Sequence, residues 1–519
     1  MQTVNQSHFA LAPSVGISRS TFDRSHGYKT TFNGGSLIPI FVDEALPGDT
    51  FNLKGSFFAR LNTPITPILD NLHFQTFFFE VPVRQIWDNW KKFNGEQDSP
   101  GDSTDYLIPT STSPAGGYDE ESIQDYMGIP PLIEGIEHSA LPLRAANHIY
   151  NEWFRDQNLQ NPLLVSRNDG PDNPADYKLF SRGKRHDYFT SSLPWPQKSD
   201  SGSVNIPLGT SAPVTTDQAI SNSIGVTSSA DGNFHLMDTG AAQVQLSPSL
   251  GDAAGSLYAD LTDATAATIN QLRQSIAVQR LFEKDARGGT RYIEVIQNHF
   301  KVRSPDLRLQ RPGYLGGGST PINITPVAQT TDGFTTSNND SPQGNLAAFG
   351  TLSATNHGFV RSFSEHTIII GFCQIRADLT YQQGLNRMWS RQTRFDHYWP
   401  ELGQIGEQEV LQKELWASGV PAEDDIVFGY QERYAEYRYK PSMITGKMRS
   451  SSPESLDIWH LSQDFPSAPL LNANFITDDP PIDRVVAVPS EPDFKLDSYF
   501  SLKCARPMRM FGIPGLDKL

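Results

Sequence analysis

Thr50–Leu61 reads TFNLKGSFFARL, and its apolar residues recur at alternate positions, with Phe51, Leu53, Phe57, Ala59 and Leu61 on one face. A period of two belongs to an extended strand with one side in a core and the other in contact with solvent. Working outward, Leu72–Val81 (LHFQTFFFEV) is apolar on both faces. Phe363–Leu379 continues the theme around Ile368, Ile369 and Ile370, as expected of a sheet covered on both sides. Asp425–Lys440 and Tyr499–Cys504 add aromatic, strand-like pieces. Helical spacing stands out in Leu143–Asp156, where Leu143, Ala146, Tyr150, Trp153 and Phe154 share a face, and in Ala264–Ala286, closed by Gly288 and Gly289. Trp87, Trp90 and Phe93 are also helically spaced and read as core. Strands near both ends of the chain must meet in one sandwich. The expected fold is therefore mainly β, a single eight-stranded antiparallel jelly-roll barrel with long loop insertions and a few helices.

Composition agrees. The chain has 519 residues, 37% of them hydrophobic and 11% aromatic, enough for a large core and incompatible with global disorder. Its 40 Gly and 37 Pro favour turns and ordered loops over a helical bundle. The two cysteines, Cys373 and Cys504, sit in separate apolar stretches and match no metal-ligand spacing, so they are expected to be buried thiols. Met1–Ser20 lacks the basic and apolar regions of a secretory leader, and no apolar run reaches the roughly 18 residues that span a bilayer, so the expected place of synthesis is a cytoplasm.

The formal net charge is −16, from 42 Lys and Arg against 58 Asp and Glu, and it is regional. Phe93–Leu143 (51 residues), Ser199–Leu272 (74) and Pro312–Val360 (49) contain no Lys or Arg and carry 10, 7 and 2 acids, which leaves the rest of the chain close to balance. Such sorting suits a molecule with one set of surfaces toward solvent and another toward something anionic. Arg19 and Arg24 near the start fit that pattern, as do Lys503, Arg506 and Arg509 near the end.

The familiar enzyme signatures are missing: no phosphate-cradling Gly-Lys loop, no dinucleotide fingerprint, no nucleophile elbow and no metalloprotease helix. Gly316–Gly318 lacks a following Lys and reads as a flexible turn. Carboxylate pairs such as Glu401 with Glu407 or Glu432 with Glu436 are what any acidic chain offers, and His186, His299, His366 and His397 are dispersed. No catalytic, cofactor or metal residue is therefore assigned. Two clusters do stand out. Arg387, Arg391 and Arg394 accompany Trp389 in NRMWSRQTRFDHYW, a mixture of cations and aromatic faces that suits single-stranded nucleic acid. Arg182, Lys184 and Arg185 lie together in SRGKRHDYF. Intersubunit or core pairing is the competing reading of both clusters. Arg387, Arg391 and Arg394 join the terminal cations as candidate nucleic-acid contacts, and Arg182, Lys184, Arg185 and Trp389 are candidate subunit-interface residues.

YNEWFRDQNLQ (Tyr150–Gln160), RGKRHDYFTSSLPWPQ (Arg182–Gln197) and RLQRPGYLGGGSTPINI (Arg308–Ile324) closely resemble the major capsid protein of gokushovirus-type microviruses. RADLTYQQGLNRMWSR (Arg376–Arg391), FGYQERYAEYRYKPS (Phe428–Ser442) and VPSEPDF (Val488–Phe494) extend the resemblance in order over most of the chain outside the insertions. It implies a jelly-roll shell protein with no catalytic site. About sixty copies would enclose circular single-stranded DNA in an icosahedral bacteriophage capsid. It also implies a small basic DNA-packaging protein, a DNA pilot protein, and a host receptor met by the insertion after PWPQ, which would project outward at the three-fold axes. The insertion itself and the final GIPGLDKL depart from the family pattern.

The expected organisation is then an inner arm over 1–30 and a first part of the barrel over 31–198, with a loop at 93–143 and a helix at 143–156. The outward insertion covers 199–262, a helix returns the chain over 263–311, and a second surface insertion covers 312–360. The second part of the barrel, 361–494, precedes a basic tail, 495–519. Two other classes compete: a carbohydrate-binding or glycan-cleaving β protein whose acidic loops form the site, and a free single-strand binder with a steep salt dependence.

Overall fold

A computed structural model describes residues 18–198, 214–216, 223–227, 234–238, 245–247, 257–259, 269–289, 291–301, 310–330 and 343–511. The chain divides into two compact units, Met1–Pro196 with Pro305–Leu519, and Gln197–Ser304.

Among the described residues, ten strands build the two main sheets of the first unit: β1 (Ser20–Asp23), β2 (His26–Phe32), β3 (Ile38–Ala45), β4 (Thr50–Leu61), β5 (Leu72–Pro82), β6 (Gly313–Pro321), β7 (Asn323–Ala328), β8 (Leu346–Ser362), β9 (Thr367–Ala377) and β10 (Phe494–Arg506). All their pairings are antiparallel. One sheet runs β2-β10-β4-β8 and the other β3-β9-β5-β6, so the chain crosses between sheets at every step from β2 to β10 except from β5 to β6 and from β7 to β8, and β2 pairs with the last strand, which is jelly-roll connectivity. Two strands are additional: β1 continues the edge formed by β2 along β10, and β7 adds to the far edge at β8.

Alternation decides which residues fill the sandwich. Phe51, Leu53, Phe57, Ala59 and Leu61 of β4 and Phe494, Leu496, Phe500, Leu502 and Cys504 of β10 point inward. There they meet Phe74 and Phe78 of β5 and Ile369, Cys373 and Ile375 of β9. Each fully buried side chain of this size contributes about 1.5–3 kcal/mol. Every residue of β9 is buried, because a second core lies on the other side of its sheet. There Phe79, Val81, Ile368, Ile370 and Phe372 pack with Trp87 and with helix α1 (Leu141–Ile149), whose Leu143, Ala146 and Ile149 are buried. The helix is followed by a single π turn, Tyr150–Phe154, so the expected helix holds in two pieces. The fully buried Arg144 fastens α1. Its guanidinium grips Asp172 at 2.7 and 2.6 Å and donates to the Asn168 and Ile86 carbonyls at 2.8 and 3.2 Å.

Three expectations about the barrel are corrected. Residues 312–360 are not a surface insertion, since β6, β7 and most of β8 come from them. Gly316–Gly318 is accordingly a strand segment, and its glycines answer to crowding: a Cβ at Gly317 would stand 2.0 Å from the Thr76 carbonyl oxygen, and one at Gly318 2.4 Å from the His357 ring. Residues 495–506 are not a tail, because β10 lies between β4 and the β1/β2 edge. Likewise β1 and part of β2 come from residues assigned to the inner arm. Both cysteines are buried and unpaired.

In the second unit, Val214–Thr216 pairs with Leu257–Ala259, and Phe234–Asp238 pairs with both Ser223–Thr227 and Gln245–Ser247. Helices α2 (Ile269–Gly288) and α3 (Tyr292–Phe300) follow, linked by a 2.7 Å contact between His299 and Asp285. The helix expected to bring the chain back to the barrel thus belongs to this unit. Its expected first residues, 264–268, and the extreme C-terminus lie outside the described residues, as does most of the 199–262 insertion.

Candidate functional site

Between β9 and β10 the chain makes a long excursion that packs on a third core formed by Tyr188, Phe189, Val410, Leu415, Phe428, Ala435, Phe475 and Ile476. A short hairpin, Glu407–Leu411 with Val427–Glu432, carries part of it. The predicted cationic cluster sits here, and two of its three charges, Arg387 and Arg391, meet carboxylates of the same chain. Arg387 donates to Glu414 at 2.8 Å and to the Glu409 carbonyl at 2.5 Å, and Glu414 also accepts from the Tyr188 hydroxyl at 2.9 Å. Burial holds the Glu414 carboxyl above its usual range despite the pull of Arg387. Arg391 contacts Glu436 at 3.3 Å and lies 4.2 Å over the Tyr437 ring. Arg394 is exposed and stacks 4.5 Å over Trp399, whose indole N–H donates back to the Arg394 carbonyl.

This polar frame holds apolar groups outward. Trp389 is 71% exposed, and Met388, Phe395, Tyr398, Tyr437 and Tyr439 are also open to solvent. Scattered apolar residues are ordinary on a surface, but so many large ones within one excursion make it the candidate contact surface.

Arg182, Lys184 and Arg185 lie elsewhere, at the joint between the barrel and the excursion. Arg182 donates to Gln75 of β5 at 2.9 Å and lies over Phe77. Lys184 is buried, donating to Gln463 and the Phe475 carbonyl at 2.6 Å each. Arg376 of β9 meets Asp478 at 2.9 Å beside them, and Arg185 meets Asp378 at 3.0 Å at the surface. Burial lowers Arg182 to about 10 and Lys184 to about 8, and raises Asp478. Gln75 and Phe77 thus hold Arg182, and Gln463 and Phe475 hold Lys184, at this joint.

The terminal cations divide similarly. Arg24 holds Asp43 through two bonds of 2.6 and 2.9 Å. Arg506 meets the buried Asp49 at 3.1 Å and the Glu44 carbonyl at 2.8 Å. Arg19 reaches the Gly48 carbonyl and the Thr50 hydroxyl. These three clamp the β3–β4 corner, whereas Lys503 and Arg509 point to solvent.

Among the described residues, no group of His, Cys, Asp and Glu is placed to hold a metal ion, and no helix is long and apolar enough to cross a membrane. The comparison with known families bears on what such a surface is for. Residues 10–516 match the family described as capsid protein (F protein). The chain belongs to the F-protein capsid family. It is similar to capsid protein VP1 of Bdellovibrio phage phiMH2K, with 50% identity over 98% of both chains. VP1 of Chlamydia phage 1 is 41% identical over 100% of this chain and 99% of its own, and VP1 of Spiroplasma virus 4 is 35% identical over 98% of each. The chain is thus a structural major capsid protein of the gokushovirus type and a component of the virion.

As a capsid protein it exposes aromatic residues that the cationic motifs only partly signalled. Trp389 drew notice through its arginine neighbours, but Phe395 and Tyr437 did not, because an aromatic residue in a loop gives no periodicity from which to read exposure. Phe58, 53% exposed on β4, was legible: in the pair Phe57-Phe58 of an alternating strand, one ring must point outward.

Proposed function

We propose that the aromatic surface on residues 385–443 is the seam along which one copy of the capsid protein joins the next, and that copies close into an icosahedral shell around circular single-stranded DNA. The observation that carries this reading is Trp389, open to solvent on a frame fixed by the Arg387–Glu414 and Arg391–Glu436 pairs. An exposed aromatic on a rigid support loses little entropy on docking, and such residues dominate interface energies. The activity is assembly rather than turnover, and no cofactor enters it.

Sixty copies with the 197–304 unit turned outward toward a host receptor is the arrangement we favour, since that unit is separate from the barrel and its stretch 199–272 is free of Lys and Arg. Exposed Arg394, Lys503 and Arg509 remain the best of the predicted cations for DNA, and a small basic packaging protein and a DNA pilot protein complete the expected partners. Electron microscopy of expressed protein tests the seam. Wild-type chain, with its packaging partners, should give closed spherical particles, and Trp389→Ala with Phe395→Ala should give folded subunits that fail to close. Particles forming undiminished from the double variant would refute it.

A further inference from the structure

The sheet β2-β10-β4-β8 has an outer face on which charge and aromatic rings are placed in register. Across β4 and β10, Arg60 stands opposite Lys495, Phe58 opposite Asp497, Ser56 opposite Tyr499, Lys54 opposite Ser501 and Asn52 opposite Lys503. Successive outward rows are about 6.6 Å apart, so the five rows cover roughly 27 Å. Phe58 and Tyr499 are 53% and 54% exposed at its middle, with cations toward both ends. Lys54 and Arg60 have no ion-pair partner among the described residues. Of the acids there, Asp497 pairs with Lys29 at 2.8 Å and Asp23 accepts from the Ser25 N–H and hydroxyl at 3.0 and 2.5 Å. Beside Phe58 opens a groove of about 750 Å³ lined by Tyr28, Lys29, Arg60 and Lys495 together with the carboxylates of Asp125 and Asp497, a volume within the range of small-molecule sites.

We infer that this face is a platform for single-stranded DNA, with bases stacked on Phe58 and Tyr499 and phosphates on Lys54, Arg60 and Lys503. A basic protein would be repelled by the unpaired cations. A second copy's apolar surface would bury them without compensation. Rings on an open sheet reach base faces only where these are unstacked, which selects a single strand over a duplex. The inference rests on the proposed enclosure of DNA and adds which surface the polymer touches.

Ultraviolet crosslinking of DNA-filled particles followed by peptide mass spectrometry tests it. Nucleotide adducts are expected on Phe58 and Tyr499. For the full-length subunit, Phe58→Ala and Tyr499→Ala should each weaken binding of a thymidine oligonucleotide about tenfold, whereas Tyr499→Phe retains it. Replacing Lys54, Arg60 and Lys503 by Gln together should reduce the slope of log affinity against log salt by roughly 2. Filled particles with adducts only on other peptides, or an unchanged salt slope, overturn the platform and leave enclosure standing. Wild-type particles without DNA overturn both.

Discussion

The two sheets of the barrel share one core but meet different things on their other faces. The β3-β9-β5-β6 sheet is roofed by α1 and the second core, so β9 is buried along its whole length. On the β2-β10-β4-β8 sheet, β4 alternates between core and solvent along almost its whole length, and β10 does so from Phe494 to Cys504. Sequence character follows coverage: unbroken apolar residues where both faces are dry, and alternation where one is wet. The roofed sheet thus carries stability, and the bare sheet offers surface that folding itself does not require.

The sharpest way to break this contrast is to unfasten the roof. Asp172→Ala leaves the Arg144 guanidinium buried and uncompensated, with an expected loss of about 3–5 kcal/mol in urea denaturation of the subunit. Phe372→Ala opens a cavity under the roof at a similar cost, about 3–5 kcal/mol. An intermediate effect is expected at the β2–β3 crossover, where the chain passes from the bare sheet to the roofed one. There Asp493 accepts the Gly34 N–H at 2.8 Å, and burial raises its carboxyl to about 6. The folded state then holds a proton that the unfolded chain releases near 3.8, so this group's contribution to stability is complete below pH 3.8 and lost as pH rises through 6. Asp493→Asn should flatten the thermal-melt pH profile between those values. Lys184, lowered to about 8 from 10.5, acts oppositely: the unfolded chain binds the extra proton, so stability should rise with pH across that interval, and Lys184→Met should remove the rise. The smallest effect belongs to the bare face. Phe58→Ala should change stability by less than about 0.5 kcal/mol, and a larger loss would mean that the face is structurally occupied.

What could be read beforehand follows the same division. Thr50–Leu61 and Ile368–Ile370 announced themselves because repeated burial leaves a period or an unbroken run. In β10 the piece Tyr499–Cys504 reads as strand, but residues 495–519 as a whole read as a basic tail because Lys495, Asp497 and Lys503 on its wet face dominate a count of charges, although Phe494, Leu496, Phe500 and Leu502 alternate with them. β6 was hidden for the reverse reason: its glycines are required by close neighbours, and contact with Thr76 and His357 is invisible to a local window. At the site, the cations could be located but not their partners. Lys184 finds Gln463 and Phe475 nearly 300 positions away, and Arg387 finds Glu414 only when the excursion folds back.

β10, the last strand among the described residues, lies inside its sheet, bonded to β4 on one side and to β1 and β2 on the other. A chain cut before Phe494 would therefore have a gap where β10 belongs, with β2 and β4 each lacking the neighbour between them. Its loss would split a sheet through the middle, whereas loss of an outer strand such as β7 would only trim an edge.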